Sequence, residues 1–271
     1  MTIVAVVGDA TTTTAVALAV GWPTGDSGAA AIVLEADPTG GSLAGWLDTP
    51  SQPSLSAIIA NVGPDAGRDR RSTLATVDAM TQQSNAGVRF VANAVRSRAA
   101  RRAVDEAAAI VVPALAAGES VVIADTGCHR CDVPVPSPLA SADVVVVVHR
   151  QATASAAAAT VRIERLVETV EALAPLPADI VLAVVGGTPF DPSEIFAFVN
   201  DSVPGAIRAT AALADDPLSA ATIAGRAGVS ARRLGRLPLT RDASRLASAL
   251  ADLVDARRRH STALTSDGRP A

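Results

Sequence analysis

The chain has 271 residues, enough for one large α/β domain with a sizeable core. Its net charge is −4 and its pI is about 5.4, which argues against a general nucleic-acid-binding surface. Apolar residues make up 49% of the sequence but aromatic residues only 2%, so the core has to be built from Ala, Val, Leu and Ile. All 23 basic residues other than histidine are arginines, so no lysine is available to any site.

Short apolar runs alternate with helical segments along the chain. Runs rich in Val, Ile and Ala predict strands over residues 3–7, 30–34, 88–92, 121–124, 144–148, 180–185 and 206–209. The other periodic segments predict helices over residues 11–20, 55–61, 101–117, 152–173, 192–200 and 244–259. This alternation is typical of βαβ units, which build a mostly parallel sheet with helices on both faces. We therefore expect a doubly wound α/β fold in one domain over residues 1–260, followed by a polar tail over residues 261–271.

In a sheet of this kind, ligands bind outside the carboxyl ends of the strands. The segments that follow predicted strands at that edge are residues 8–14, 35–41, 125–131 and 186–190. These loops are where we expect the functional residues.

The composition also bears on location and on metal chemistry. Two cysteines, Cys128 and Cys131, are too few for a disulfide framework and fit a reducing compartment. Their Cys-x-x-Cys spacing lacks the second ligand pair of a structural zinc site, so we assign it no role. We expect no signal peptide and no membrane span, because the N-terminus leads into a strand and the most apolar run, residues 142–148, is too short. These features predict a cytoplasmic protein.

The loop after the first strand carries a motif. Residues 8–13 read Gly-Asp-Ala-Thr-Thr-Thr and open a helix rich in Ala and Leu. They resemble the Walker A loop of MinD/ParA-like P-loop ATPases, which reads Gly-x-Gly-Lys-Thr-Thr. The resemblance implies that the nucleotide-binding positions are Gly8, Asp9, Ala10, Thr11, Thr12 and Thr13, and that the hydroxyl of Thr12 binds Mg²⁺.

Two departures from that motif leave the function of the loop open. Thr11 stands where the family has its lysine, and Ala10 replaces a glycine although alanine tolerates a positive φ poorly. Losing a charge-assisted contact costs about 1.5–3 kcal/mol, about ten- to hundredfold in affinity. The loop is then either a relic that only starts the helix, with Asp9 as its cap, or a weak nucleotide site in which an arginine or Mg²⁺ supplies the charge.

Three further segments resemble the same family in the same order, and together the resemblance covers about residues 1–255. Residues 35–41 resemble its second-strand motif, which implies catalytic positions at Glu35 and Asp37. Asp125 ends a strand that resembles the Walker B strand, whose aspartate orients Mg²⁺. Asp216 and Pro217 resemble a late loop that borders the adenine. The family's base-reading asparagine is missing, since residues 186–187 are Gly-Gly.

The resemblance implies ATP or ADP with Mg²⁺ as cofactor, but the missing lysine makes a pseudo-ATPase the first hypothesis. Such a protein would act by binding a protein partner or by forming a homodimer, in partitioning, division-site positioning or conjugation. A working ATPase with an atypical loop is the second hypothesis. The third is a membrane-surface adaptor using the last helix, which the sequence also explains as a closing core helix. No specific nucleic acid is implied.

Overall fold

The computed structural model describes residues 2–23, 31–62, 70–117, 120–128, 137–151, 155–228 and 231–266. In these ranges the chain forms eight strands, which are β1 (Thr2–Gly8), β2 (Ala31–Glu35), β3 (Gln82–Gln83), β4 (Arg89–Val91), β5 (Val121–Asp125), β6 (Val144–Arg150), β7 (Asp179–Val185) and β8 (Ile207–Leu213). They make one sheet in the order β3-β4-β2-β5-β1-β6-β7-β8. All neighbours are parallel except β3, which pairs antiparallel with β4 at one edge.

The described helices are α1 (Thr11–Gly21), α2 (Leu43–Trp46), α3 (Leu55–Val62), α4 (Arg70–Met80), α5 (Ser97–Ala117), α6 (Ser137–Ala140), α7 (Ala156–Leu173), α8 (Pro192–Ser202), α9 (Pro217–Ile223), α10 (Ala231–Leu234) and α11 (Pro238–Ser266). Buried residues of α1, α2 and α9 to α11 pack on one face of the sheet. Those of α3 to α8 pack on the other face. Side chains of β1 alternate between the two cores, as a strand with both faces covered requires.

The doubly wound, mostly parallel α/β fold predicted from the sequence is confirmed. Each of the seven predicted strands overlaps an observed one. The strand predicted over residues 88–92 is shorter, Arg89–Val91, and β8 spans Ile207–Leu213 rather than residues 206–209. Residue 30, the predicted start of β2, lies outside the described residues, as do residues 152–154 before α7. The short β3 was not predicted.

The helix bounds differ more. The last helix was predicted over residues 244–259, whereas α11 begins at Pro238 and continues to Ser266, into the predicted tail. Proline suits the first turn of a helix, and Leu239 and Ala243 extend the buried face by two turns. Leu246, Leu250 and Leu253 follow along the same helix, and the first two are buried in the core. In the part of the chain that the structure describes, no helix has the length and apolar character needed to cross a bilayer.

Candidate functional site

The loop after β1 contains two residues with positive φ, Gly8 and Ala10, immediately before α1. Gly8 has a φ of 112°, and a Cβ there would collide with the carbonyl oxygen of Val148. The Asp9 N–H donates to that carbonyl over 2.9 Å, which fixes the loop to β6. Ala10 adopts the left-handed conformation, with φ 50° and ψ 34°, immediately before α1. The loop therefore places alanine where a positive φ favours glycine.

Asp9 is held by an arginine of α7. The prediction that Asp9 caps α1 is wrong, because the residue at the cap is Ala10 and no side chain caps the helix. Instead, Asp9 Oδ2 accepts hydrogen bonds from Arg162 Nη2 over 2.6 Å and from the Arg150 backbone N–H over 3.3 Å. Both side chains of the ion pair are partly exposed, at 35% for Arg162 and 40% for Asp9.

His149 lies beside this ion pair and is buried. Burial lowers the pKa of its imidazole below the ordinary value. The Asp9 carboxylate raises that pKa and the Arg162 guanidinium lowers it. Because these two charges act in opposite directions, burial remains the dominant cause of the lowered pKa. The imidazole is therefore neutral at pH 7.

The two predicted metal positions are in direct contact. Thr12 Oγ1 donates to Asp125 Oδ2 over 2.6 Å, and the Asp125 carboxylate is buried at the end of β5. Burial raises the pKa of Asp125. Hydrogen bonds from Thr12 and Thr11 oppose that rise, as does the bond from the Gly127 backbone. The nearby Asp37 carboxylate adds to it.

This pair suits Mg²⁺ only together with another ligand. Among the described residues, no group of three or more His, Cys, Asp or Glu side chains could hold a metal by itself. Mg²⁺ commonly takes one or two carboxylates from a protein and completes its shell with phosphate oxygens and water. Thr12 and Asp125 therefore fit Mg²⁺ that arrives with a phosphate, and the charge of the phosphate must be balanced elsewhere.

Asp37 closes its own loop. Its Oδ1 accepts bonds of 2.7 Å from both the backbone N–H and the hydroxyl of Thr39. Its Oδ2 lies against Gly127, which has a φ of 66° and no room for a Cβ. Asp37 thus sits next to Asp125 at the carboxyl edge of the sheet.

Glu35 is 1% exposed, and both of its carboxylate oxygens accept backbone hydrogen bonds. Oε1 accepts from the N–H groups of Ser42 and Leu43 over 2.5 and 2.6 Å, and Oε2 accepts from that of Asn93 over 2.7 Å. Burial raises the pKa of Glu35, the three N–H groups lower it and the Asp125 carboxylate raises it. These bonds tie β2, the start of α2 and the end of β4 together.

Two residues that sequence reasoning missed organise neighbouring loops. Asn93 Nδ2 donates to the Asp37 carbonyl over 3.1 Å, which joins the β2 loop to the segment before α5. Gln151 is buried, and its amide donates to the carbonyls of Gly186 and Phe190 and accepts from the Phe190 N–H. Each follows a strand at the carboxyl edge, which is the one signal that could have identified them.

The residues predicted to border a base lie across a cavity of about 260 Å³ that begins at Ala10. Asp216 caps α9, since its carboxylate accepts from the Leu218 N–H and the Ser219 hydroxyl, and Pro217 follows in the first turn. Two arginines also line the cavity, and each already contacts another side chain. Arg150 forms a bidentate ion pair of 3.0–3.1 Å with Asp215. Arg226 lies 5.9 Å from the ring centre of Trp46.

The structure thus gathers the predicted site residues along one edge of the sheet. The loop after β1 meets Asp125, and Glu35 and Asp37 lie beside Asp125. Asp216 and Pro217 line the cavity together with Ala10 and Thr13. Cys128 follows β5 and is exposed, whereas Cys131 lies outside the described residues.

The sequence matches no protein-family model and no curated protein. Solved structures do resemble the fold. A ParA family ATPase from Chlorobium tepidum is 13% identical with a TM-score of 0.63, over 91% of this chain and 97% of that one. The septum site-determining protein MinD from Pyrococcus horikoshii, complexed with Mg-ADP, is 14% identical with a TM-score of 0.62, over 92% and 95%.

A third structure, the MinC:MinD cell division protein complex from Aquifex aeolicus, is 10% identical with a TM-score of 0.58, over 93% of this chain and 96% of that one. At these identities the likeness concerns the fold alone, and it covers nearly the whole length of this chain and of each of the three structures. The resemblance expected from the motifs is therefore confirmed at the level of architecture: this chain has the fold of the MinD/ParA-like P-loop ATPases.

Proposed function

We propose that this chain is a pseudo-ATPase with a MinD/ParA-like fold that acts by binding a protein partner or a second copy of itself. The observation that carries the proposal is the ion pair between Asp9 and Arg162. In a working P-loop a cation faces the phosphates. Here the arginine that reaches the loop is held by a carboxylate of the loop itself.

The charges around the loop oppose a polyphosphate. Thr11 offers a buried hydroxyl where the family has a lysine, and the carboxylates of Glu35, Asp37 and Asp125 lie behind it. Mg²⁺ would offset part of this negative charge, but an ordinary P-loop uses both Mg²⁺ and a lysine. We infer that the remaining attraction is too weak for nucleotide to drive the protein.

The hydrogen bonds of Glu35 also support a pseudo-ATPase. In the family, the residue at this position lies near the attacking water. Both oxygens of Glu35 are instead occupied by backbone N–H groups, so we propose that it shapes the loops at the sheet edge and activates no water.

Partner binding is supported by analogy with the Aquifex MinD, which was solved in complex with MinC. We expect a comparable role in the cytoplasm, in partitioning, division-site positioning or conjugation. The membrane-adaptor alternative gains no support, because Leu246 and Leu250 of α11 are buried in the core of this fold and cannot also contact a membrane.

Calorimetry with Mg-ATP tests the proposal. We expect no binding heat from the wild type at millimolar nucleotide. The double variant Ala10→Gly/Thr11→Lys restores the family loop and should bind Mg-ATP, which shows that the assay can detect a working site. Tight binding by the wild type that is lost in Thr12→Ala or Asp125→Ala would overturn the proposal.

One observation favours a second candidate, an atypical Mg-ATP-binding protein. Thr12 and Asp125 already stand in contact at the Mg²⁺ position, and the Pyrococcus MinD of similar fold was solved with Mg-ADP. In that case Arg162 would have to leave Asp9 and face the phosphates. Nucleotide binding that strengthens in Asp9→Asn and disappears in Arg162→Ala would establish this candidate.

A further inference from the structure

The two edges of the sheet differ in how much strand they leave unpaired. At one edge, β3 has only two residues. At the other, β8 has seven residues, and its one neighbour in the described sheet is β7. Proteins commonly protect an edge with a short strand, a proline or a lysine, and β8 has none of these. The pairing with β7 is irregular only at the start of β8, opposite Ile180 and Val181, so the rest of the strand is a regular open edge.

The unpaired backbone groups of this edge belong to Thr210 and Ala212. The Leu213 carbonyl accepts from the Gly186 N–H over 2.9 Å, so the backbone of Leu213 faces β7. Successive residues of a strand direct these groups to opposite sides, and those of Ala212 and Thr210 therefore face away from the sheet. Both residues are exposed, and no group of the described residues bonds to their outward N–H or carbonyl.

The next outward donor along the edge is satisfied from α11. The Ala214 N–H donates to Asp242 Oδ2 over 3.2 Å. Beside Thr210 and Ala212 the helix offers no such acceptor in the described chain, so two N–H donors and two carbonyl acceptors stay open to water. An extended backbone laid along the strand is the partner that pairs with such a row of groups.

A mostly apolar groove of about 370 Å³ lies between this edge and α11. On the β8 side its walls are small, since Ala209 and Ala211 are the residues that pack toward the core beneath α11. On the α11 side the apolar lining is Leu246, Ala249, Leu250 and Leu253. In a strand placed beside β8, every second side chain would point to the α11 side of the sheet, where this groove lies. The groove thus suits apolar side chains at alternate positions of the added strand.

The exposed charge at the groove is positive. Asp242 and Arg245 both line it, but the Arg245 side chain is 72% exposed and that of Asp242 only 16%. Asp242 also accepts the bond from the Ala214 N–H and lies 3.5 Å from both Arg241 and Arg245. The carboxylate is therefore already compensated, and the more exposed guanidinium of Arg245 favours an acidic side chain on whatever binds in the groove.

We propose that an extended segment of a protein partner binds here by adding a strand to β8. Its backbone pairs with Thr210 and Ala212, its alternate apolar side chains fill the groove, and an acidic side chain lies beside Arg245. The proposal rests on the proposed function, since it names the surface and the chemistry by which the protein partner is bound. A second copy of this chain is a poorer occupant, because β8 itself would bring only the side chains of Ala209 and Ala211 to the groove.

A labelled peptide of the sequence Glu-Thr-Val-Thr-Val-Thr-Glu tests the proposal by fluorescence polarisation, without nucleotide. Its valines alternate as the groove requires, and its ends are acidic. We expect saturable binding to the wild type. Two further peptides carry N-methyl groups at alternate residues, one in each phase. One should bind and the other should not, because only every second N–H of an added strand faces β8.

Two variants of the protein separate the backbone edge from the groove. Ala212→Pro removes an outward N–H and keeps the bonds to β7, as prolines of edge strands do, and Ala249→Trp fills the groove. Each should raise the peptide Kd about tenfold. The control Ser248→Trp places the same side chain at an exposed position one residue away, outside the groove lining, and should leave the Kd unchanged. Thermal melts establish that each variant folds, and Ala249→Trp decides the matter if Ala212→Pro does not.

Several results would overturn the proposal. They are a wild type that binds no peptide at millimolar concentration, folded variants that bind as the wild type does, and equal binding of the two methylated peptides. Sedimentation velocity tests the other occupant, since a wild type that dimerises and becomes monomeric in Ala212→Pro would assign the edge to a second copy. Mg-ATP calorimetry reports on the loop after β1, and the cavity there shares no residue with the groove, so the two proposals can fail independently.

Discussion

Replacing Glu35 with alanine should destabilise the protein, because three backbone N–H groups lose their acceptor and two of them, those of Leu43 and Asn93, are buried. The third is the N–H group of Ser42. An unsatisfied buried donor costs about 1–3 kcal/mol. The low end applies here, since the variant also relieves the burial of a carboxylate whose pKa is already raised. For the two buried groups the sum is about 2 kcal/mol, or a fall in Tm of about 4–8 °C for a domain of this size.

Thermal and urea unfolding of Glu35→Ala and Glu35→Gln measure this effect. The glutamine oxygen can still accept from Ser42 and Leu43, while its amide group faces the Asn93 donor, so Glu35→Gln should lose about 1–2 kcal/mol. A Glu35→Ala protein that melts within a degree or two of the wild type would refute the reasoning. Loss of nucleotide turnover in Glu35→Gln at full stability would return Glu35 to a catalytic role.

Three further predictions concern backbone strain, helix packing and pH. Ala10→Gly should stabilise the fold by up to about 1 kcal/mol in thermal melts, because it relieves a left-handed alanine. Gly21→Ala should cost about 1–3 kcal/mol, because its Cβ would lie 2.7–2.8 Å from Ser244, whereas Gly45→Ala, with nothing within 4 Å, should be neutral or slightly stabilising. The raised pKa of Asp125 means that its contribution to stability is present below about pH 3.9 and is lost as the pH rises through the folded-state pKa. Unfolding curves across pH should therefore show Asp125→Asn gaining stability over the wild type as the pH rises, and parallel curves would contradict this.

The parallel sheet was predictable because its strands are nearly uninterrupted runs of small aliphatic residues. Residues 144–148 are five consecutive valines, and only a strand covered on both faces accommodates such a run. The α4 helix, Arg70–Met80, was missed because its buried contribution is slight: Val77 is its one fully buried apolar side chain among those described. A helix with so narrow an apolar face gives little periodic signal.

The site was predictable as a set of positions but not as a set of contacts. The order of the motifs located Thr12 and Asp125, and the structure brings them to 2.6 Å. The partner of Asp9 could not be found in the same way, because Arg162 lies 153 residues further along, in the middle of a helix. Nothing local distinguishes it from the exposed Arg165 one turn later. Long-range ion pairs of this kind depend on the packing of α7 and leave no local pattern.

The bond between Asp9 and Arg162 has a consequence for regulation. In a molecular switch, the arrival and departure of a small molecule sets the time that the protein spends in each state. Here the negative charge that faces Arg162 is the carboxylate of Asp9, which belongs to the chain and cannot arrive or leave as a nucleotide does. Under the proposed function, the output of this protein does not follow the ratio of ATP to ADP.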